Sequence, residues 1–471
     1  MDRLQGLDAA FLCLETPTAH MHVTGVAILE PADDEFGLER FRRVIESRLH
    51  NLPAFRKRMV EVPLGLGHPV WAEDPELCVA DHLHHIAAPA PGSDRELAEV
   101  VGLLAGRPLD RNRPLWEIWL VEGLEAGRSA LVVKIHHAAI DGVASTEVMT
   151  QVFDLYAEGH ADPRPGNPRP EADALPSPSR LLFSSIAHGS NIPVKFLRTV
   201  ARTGQSLVPI VRAAMDRTKK APHGAAPFQA PRVGFNSSIT AERVVAFGST
   251  SLDAVKRIKS AYGTTINNVI LAACTQSLRR YLIETLDLPN RPLVAAIPVS
   301  NHSPGAHDDM GNRVSAMFVG LPVQLENPIE QLLAIEENAA SAKNLHSAVG
   351  GGTLQEYAEF ANPSLVGGGA WLYSRMKLAD RTPTIHNLTI SCVAGPPFPL
   401  YAAGARVSAV HPLGPILDGA GLNITVLSYA DRMGIGVIAC PKCVADPWAI
   451  AQAFEDAIST MAHEIAEIGI D

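Results

Sequence analysis

The sequence is most informative at residues 135–142, which read Ile-His-His-Ala-Ala-Ile-Asp-Gly and follow the apolar run Leu131–Val133. A histidine pair at the end of a buried strand suits proton transfer, because imidazole, with a pKa of about 6.5, is mostly neutral yet basic at cell pH. Asp141 is too acidic for that task and better suited to fixing the turn or pairing with a cation. Gly142 allows a sharp turn or a close approach to substrate. In the alternative interpretation the histidines only cap a core strand and Asp141 caps the next helix.

Several other segments share a resemblance with one family, in the same order along the chain. They are residues 7–12 (LDAAFL), 15–18 (ETPT), 21–23 (MHV), 108–117 (PLDRNRPLWE), 311–315 (GNRVS) and 395–396 (GP). Together with the histidine motif they resemble the bacterial wax ester synthase/diacylglycerol acyltransferases, a branch of the chloramphenicol acetyltransferase-like superfamily. The resemblance runs from about residue 4 to residue 465.

The resemblance implies an α/β fold of two chloramphenicol acetyltransferase-like domains, each a mixed β-sheet with helices, joined by a crossover linker. It also implies an O-acyltransferase that moves a long-chain acyl group from acyl-CoA to diacylglycerol and forms triacylglycerol. Two alternatives stay open: a wax ester synthase with a long-chain alcohol as acceptor, and a catalytically weak lipid-binding relative. No cofactor is expected, because coenzyme A would enter only as the carrier of the acyl substrate.

Roles can be assigned to the residues of the motif. His137 is expected to act as general base on the acceptor hydroxyl, with His136 as its partner or as a packing residue. Asp141 is expected to orient the loop through a buried ion pair, and Gly142 completes the motif. The chain contains no G-x-S-x-G nucleophile elbow, which favours direct transfer over an acyl-enzyme. The candidate donors to the oxyanion are backbone amides and the side chains of Asn267, Asn268 and Ser391.

Two positions depart from the family pattern. The family usually carries Asn-Asp-Val where this chain has Asn267-Asn268-Val269, and an Asn within the segment Cys392–Pro396. The loss of a carboxylate and an amide predicts a weaker helix cap, domain contact or substrate alignment. The proposed base is intact, so the departures bear on activity and acceptor choice and not on the fold.

Composition indicates a large folded enzyme with no nucleic-acid partner. The chain has 471 residues, is 46% hydrophobic and 19% charged, and carries a net charge of −10. A chain of this length forms two or more domains, and its acidity argues against nucleic acid. We see no basic-then-apolar signal region at residues 1–6 and no long apolar run. These features predict a cytoplasmic protein, and the basic segment at 181–220 described below predicts peripheral association with membranes or lipid droplets.

Neither a metal site nor a nucleotide site is expected. Cys440 and Cys443 form a lone C-x-x-C pair, whereas a structural zinc site needs four ligands. His82 and His84 would share a strand face, but no cysteine or carboxylate cluster accompanies them. Neither a phosphate loop nor a G-x-G-x-x-G turn is present, so ATP, nicotinamide and flavin are not expected.

The chain divides at residues 161–180, where six prolines rule out a helix or a central strand. This predicts an N-terminal acyltransferase domain at 1–160, a linker with a helical segment at 161–230, and a C-terminal domain at 231–471. Hydrophobic periodicity predicts helices at 38–49, 94–104, 266–282, 326–343 and 447–468, and strands at 130–135, 293–299, 388–393 and 423–429.

Residues 181–220 combine apolar and basic side chains. Seven lysines and arginines and a single acid, Asp216, lie among leucines, isoleucines, valines and phenylalanines. Such segments lie in lipid interfaces, with basic residues on anionic headgroups. Pro193 and Pro209 should divide the segment into short helices. In the alternative interpretation, these helices pack on the protein itself.

Overall fold

The computed structural model describes residues 2–4, 6–30, 36–65, 67–140, 149–157, 175–189, 229–300, 314–349 and 363–468. The main helices are α1 (Gly6–Leu14), α2 (Leu38–Arg48), α3 (Pro53–Arg56), α4 (Asp94–Ala105), α5 (Pro178–Gly189), α6 (Leu252–Ala261), α7 (Ile266–Glu284), α8 (Pro328–Val349), α9 (Pro363–Arg375) and α10 (Pro447–Ile468). Short 3-10 helices cover Leu49–Asn51, Pro63–Gly65, Val79–His82, Glu125–Gly127 and Leu378–Asp380.

The strands form two large mixed sheets and one small sheet. They are β1 (Asp2–Arg3), β2 (His22–Glu30), β3 (Lys57–Val60), β4 (Val70–Glu73), β5 (Leu83–Ala87), β6 (Trp116–Glu122), β7 (Ser129–His136), β8 (Val244–Ser251), β9 (Leu293–Ser300), β10 (Val314–Leu321), β11 (Leu388–Ala394), β12 (Tyr401–Ala402), β13 (Ala405–Leu413), β14 (Leu422–Tyr429) and β15 (Arg432–Ala439). The first sheet has the order β12-β13-β2-β7-β6-β5, the second β10-β9-β11-β14-β15-β8, and the small one β1-β4-β3.

The predicted helices and strands are confirmed, with ends that move by a few residues. Local signals explain where the helices begin. Ser93 accepts a hydrogen bond from the first turn of α4 while Glu96 bonds back to the Ser93 backbone, which forms a capping box. Thr265 caps α7 through the backbone N–H of Asn268. Strand β7 is buried along nearly all its length, as expected of a central strand.

One strand pair crosses between the two halves of the chain. Strands β12 and β13, at residues 401–413, lie far along the sequence but belong to the first sheet, where β13 pairs antiparallel with β2. This pairing covers an edge of β2 whose backbone groups would otherwise have no strand partner. The division at residues 160 and 231 stays a prediction, and these strands of the C-terminal part complete the N-terminal sheet.

Helix α4 joins the two sheets. Its apolar side chains Leu97, Val101 and Leu104 share one buried cluster with Val245 and Phe247 of β8. The approach is close, because a Cβ added at Gly102 would lie 2.6 Å from the carbonyl oxygen of Arg243. A glycine is therefore required where α4 meets the second half of the chain. Among the described helices, none has the length and apolar character needed to span a bilayer.

Candidate active site

The histidine pair lies at the end of β7, held on both sides by backbone hydrogen bonds. In the first sheet His136 stands opposite His22 of β2, and its N–H donates to the carbonyl of Leu115 at 2.9 Å. The N–H of His137 donates to the carbonyl of Met21 at 2.8 Å. Two neighbouring segments thus fix the backbone at the point where the strand ends.

The His136 ring is buried and both of its nitrogens face polar partners. Its side chain is 1% exposed. Nδ1 accepts a hydrogen bond from the N–H of Ala138 at 3.0 Å, so in the neutral ring the proton lies on Nε2. Nε2 lies 3.6 Å from a carboxylate oxygen of Glu15. The ring therefore connects the turn after β7 to an acid that follows α1.

Glu15 is an acid with a side chain only 9% exposed, and its carboxylate lies between Arg111 and His136. Arg111 donates to its Oε2 through Nε and Nη2 at 3.0 and 2.6 Å, and also to the carbonyl of Leu12 at 2.8 Å. Burial alone would raise the pKa of Glu15, but His136 and then Arg111 outweigh it and lower that pKa to about 2. The carboxylate is therefore charged throughout the physiological range.

Replacing Glu15 with glutamine should change the pH dependence of stability. A pKa lowered from 4.5 to about 2 stabilises the fold above pH 4.5, and this contribution disappears as the pH falls towards 2. The full contribution is at most about 3 kcal/mol. Urea unfolding should therefore show a free-energy gap between wild type and Glu15→Gln at pH 7 that narrows below pH about 4.5.

The control for this measurement is Glu39→Gln, which removes an exposed ion pair with Arg42 on α2. Exposed pairs of this kind contribute little to stability, so its gap should be much smaller at every pH. A gap for Glu15→Gln that stayed constant from neutral to acid pH would contradict the ionised Glu15 carboxylate that Arg111 and His136 stabilise in the folded state.

His137 occupies a different environment. Its side chain is partly exposed, and its ring stacks on Phe11 of α1 with centroids 4.2 Å apart and planes 26° apart. Phe11 and Glu15 both come from the segment that begins with α1, so a single segment orients the two histidines. His137 combines a fixed ring plane with access to its surroundings, which a base acting on a bound hydroxyl requires.

Polar side chains beside the motif satisfy the C-terminal carbonyls of α4. Lys134 donates to the carbonyls of residues 104 and 107 at 3.2 and 3.1 Å and pairs with Glu117 at 3.0 Å. His22 and His20 contact the carbonyls of residues 105 and 106 through Nε2 at 3.1 and 3.0 Å. Burial lowers the pKa of both histidines, so each is neutral and donates from Nε2. These side chains support the helix end and are not available as a base.

Comparison with known proteins assigns the chain to a family. The profile of the wax ester synthase/diacylglycerol acyltransferase catalytic domain matches residues 4–270, and that of the family's C-terminal domain matches residues 310–462. A Mycobacterium tuberculosis protein named as a diacylglycerol O-acyltransferase is 35% identical over 467 residues, 98% of this chain and 90% of the relative. The chain belongs to the wax ester synthase/diacylglycerol acyltransferase family. A second M. tuberculosis protein of the same name is 37% identical over 454 residues, 95% of this chain and 93% of the relative.

Solved structures confirm the fold class of this acyltransferase. The wax ester synthase/diacylglycerol acyltransferase of Marinobacter aquaeolei VT8 superposes with a TM-score of 0.68 at 26% identity, covering 98% of this chain and all of that one. The first condensation domain of the CDA synthetase gives a TM-score of 0.56 at 16% identity, covering 98% and 94% of the two chains. At that identity the second similarity concerns the fold alone. The predicted α/β architecture of two related sheet domains is confirmed.

The structure of this family member brings only part of the predicted site together. His136 and His137 lie as described, whereas Asp141 and Gly142 lie outside the described residues. Asn268 is buried in the first turn of α7, and its Nδ2 donates to Thr264 at 3.0 Å, so its amide is held within its own helix start. The remaining two candidates are partly buried: Asn267 in the same turn and Ser391 on β11.

The second half of the acyltransferase contributes to the surroundings of the motif. Ile135 and Ile140, on either side of the histidines, share a buried cluster with Leu427 and Tyr429 of β14. Arg243 donates to the carbonyl of Thr18 at 2.7 Å, in the turn between Glu15 and β2. The histidine site is therefore built against residues from beyond position 230.

Glu15 and Arg111 are the residues that sequence reasoning missed. Both stand in segments that carry the family resemblance, but neither received a role there. The available signal was weak: an acid, Glu15, follows an apolar segment, and a base, Arg111, lies in a Pro-rich segment, and both segments precede the histidine motif. Their partnership is a contact between positions 96 residues apart, which no local pattern reveals.

The cysteine pair sits in the second half of the acyltransferase. Cys440 and Cys443 are buried, and the backbone N–H of Cys443 donates to the carbonyl of Cys440 at 2.8 Å. The Cys440 sulfur also contacts Thr240, and the Cys443 sulfur contacts Ser237. Cys443 lines a cavity of about 380 Å³. Within the described residues, no three His, Cys, Asp or Glu side chains are grouped closely enough to hold a metal ion. His82 instead bonds to the carbonyl of Trp116 at 2.8 Å.

Proposed function

We propose that this acyltransferase moves a long-chain acyl group from acyl-CoA to diacylglycerol and forms triacylglycerol. The mycobacterial relatives carry that activity in their names and match nearly the whole chain. The observation that carries the proposal is the pair of histidines at the end of β7, one buried against Glu15 and one partly exposed beside Phe11. A long-chain alcohol is the second candidate acceptor, because the solved M. aquaeolei enzyme bears both activities in its title.

His137 acts as the general base in this proposal. It removes the proton of the acceptor hydroxyl, and the oxygen attacks the thioester carbonyl of acyl-CoA. The tetrahedral intermediate then expels the coenzyme A thiolate, which takes the proton back from the His137 imidazolium. His136 cannot take this role, because its Nδ1 already accepts from Ala138 and its buried Nε2 faces Glu15. The chain lacks a nucleophile elbow, which supports direct transfer.

Glu15, Arg111 and His136 are positioning residues in this mechanism. Arg111 holds the carboxylate, the carboxylate favours the His136 tautomer with its proton on Nε2, and Nδ1 then holds the turn that carries His137. These contacts behind the catalytic residue fix the orientation of the His137 ring. We keep Asp141 as an orienting residue of the following loop.

The oxyanion requires donors that the proposal assigns to the second half of the chain. Asn267 and Ser391, both partly buried, and backbone amides remain the candidates. Asn268 is a weaker candidate because its amide already donates to Thr264. No cofactor takes part in the proposed reaction, and acyl-CoA serves as a substrate.

An acceptor assay tests the proposed function. Purified protein given radiolabelled palmitoyl-CoA should produce labelled triacylglycerol with dioleoylglycerol, and less labelled wax ester with hexadecanol. The reverse preference would replace diacylglycerol by a fatty alcohol as the acceptor. Label released only as free fatty acid, or binding without turnover, would contradict O-acyl transfer and favour the lipid-binding relative.

Peripheral association with a membrane or lipid droplet follows from a lipid acceptor. The basic segment 181–220 was predicted to provide it, and residues 190–220 lie outside the described residues. Its described beginning is α5, where Leu181 is buried and Phe183 is 74% exposed. An exposed phenylalanine three residues after Arg180, at the start of a sequence rich in lysine and arginine, supports the proposed interfacial role of this segment.

A further inference from the structure

Helix α9 packs on α1 along one of its sides. Its partly buried positions recur at helical spacing and are Val366, Gly367, Ala370, Tyr373 and Ser374. A Cβ added at Gly367 would lie 3.5 Å from the carbonyl oxygen of Cys13, which shows how closely the two backbones approach. The Ser374 hydroxyl also hydrogen-bonds that of Thr18 at 2.8 Å.

The opposite side of α9 carries large apolar side chains. We call Trp371, Leu372, Arg375 and Met376 the outer α9 face; its three apolar members are 47%, 48% and 54% exposed. A surface helix ordinarily buries its large apolar residues and exposes polar ones. Here Trp371, Leu372 and Met376 are about half exposed on the outer side, while Val366 and Tyr373 lie partly buried on the inner side. An exposed apolar cluster of this kind marks a contact surface.

The charge around the outer α9 face identifies the partner. The Arg375 guanidinium lies over the Trp371 ring, 5.2 Å from its centroid. Residues 363–381 contain three basic side chains and one acid, Asp380, which accepts from the N–H of Ser238 at 2.7 Å. In a chain of net charge −10 this is a local positive region. Tryptophan with neighbouring basic residues suits the headgroup level of a lipid surface.

We propose that the outer α9 face docks on a lipid surface with anionic headgroups and so delivers the acceptor to the site. This inference rests on the proposed lipid acceptor and is separate from segment 181–220. Helix α9 packs on α1, whose Phe11 stacks on His137 at 4.2 Å. Its Ser374 also contacts Thr18, in the turn that follows Glu15. A lipid surface under α9 would therefore lie beside the segment that orients both histidines.

Vesicle flotation tests the docking face with full-length protein. The variant is Trp371→Ser with Leu372→Ser, and the control is Ile283→Ser with Leu333→Ser, two apolar residues of α7 and α8 that are 46% and 50% exposed. On vesicles of phosphatidylcholine with phosphatidylglycerol, the α9 variant should bind about tenfold more weakly than wild type, and the control should bind as wild type does. Wild type should bind vesicles that contain phosphatidylglycerol more tightly than vesicles of phosphatidylcholine alone, and Arg375→Gln with Lys377→Gln should remove this difference.

The outcomes separate this inference from the proposed function. An α9 variant with a normal thermal midpoint should transfer acyl groups normally to a soluble short-chain diacylglycerol and lose transfer to vesicle-embedded diacylglycerol. Unchanged flotation of the α9 variant, or an equal loss in the control, would overturn the docking face. Self-association of wild type that the α9 substitutions abolish, without vesicle binding, would overturn the lipid assignment. Absence of transfer to any acceptor would refute the proposed function, while flotation still reports on α9.

Discussion

Replacing His137 with alanine is expected to slow acyl transfer by about 10² to 10⁴ and to leave the thermal midpoint nearly unchanged. The loss corresponds to about 3–5 kcal/mol of transition-state stabilisation. Stability should persist because the backbone N–H of residue 137, which donates to Met21, does not depend on the side chain. Single-turnover assays with labelled acyl-CoA, together with thermal unfolding, measure both quantities.

Two histidine variants make this expectation specific. His85→Ala removes a 49% exposed histidine that pairs with Glu122 at the edge of the same sheet, and its turnover should match wild type. His136→Ala removes the ring between Ala138 and Glu15, so it should lower both the midpoint and the rate. Turnover near the wild-type value in a normally folded His137→Ala protein would refute His137 as the base.

The sequence predicted the local elements well because their signals are local. Apolar periodicity predicts the closing helix at 447–468, and the structure has a helix with the same bounds, beginning at Pro447. The continuous apolar run of strand β7 predicts a buried strand, and Leu131 and Val132 are fully buried in the structure. Each of these conclusions depends on side chains within about one helix length of one another.

Contacts between distant segments were not predictable in the same way. Residues 401–413 read as part of the C-terminal half, yet β13 pairs with β2 because the first sheet has an edge there for a further strand. The same limit hid the pair of Glu15 and Arg111. A buried carboxylate needs a partner, and the sequence suggests this role only for Asp141, which lies outside the described residues. Glu15 also meets this need, with Arg111 and His136 as its neighbours.

The departures from the family pattern can now be given physical content. Asn268 lies where the family usually has an aspartate at the start of α7, and Thr265 and Thr264 are its partners there. The side-chain amide donates to Thr264 while the backbone N–H of the same residue donates to Thr265, but an amide lacks the negative charge that favours a helix N-terminus. Cys392 on β11 is partly buried, and its thiol cannot make the hydrogen bonds that an asparagine amide could make.

Replacing Trp116 with alanine should reduce the free energy of unfolding by about 3–5 kcal/mol, the largest stability effect we expect from a single substitution. The Trp116 ring is 1% exposed and lies between Phe55 and His82, with both centroid distances at 4.3 Å. Its indole N–H donates to the Phe55 carbonyl at 3.0 Å. Removal leaves a cavity and an unsatisfied carbonyl beneath the strand that carries the histidines, since Trp116 pairs with Ile135 in the sheet.

Urea unfolding at neutral pH measures this loss, with Trp371→Ala as the matched control. Trp371 is 47% exposed on α9, so its truncation should cost less than about 1 kcal/mol. Trp116 supports the strand and does not reach the reacting groups. At urea concentrations well below the unfolding midpoints of both wild type and variant, the folded Trp116→Ala protein should therefore transfer acyl groups at the wild-type rate. A variant of normal stability would show that the surrounding core can close over the lost ring. A stable but inactive Trp116→Ala protein would move this residue from the support of β7 into the site itself.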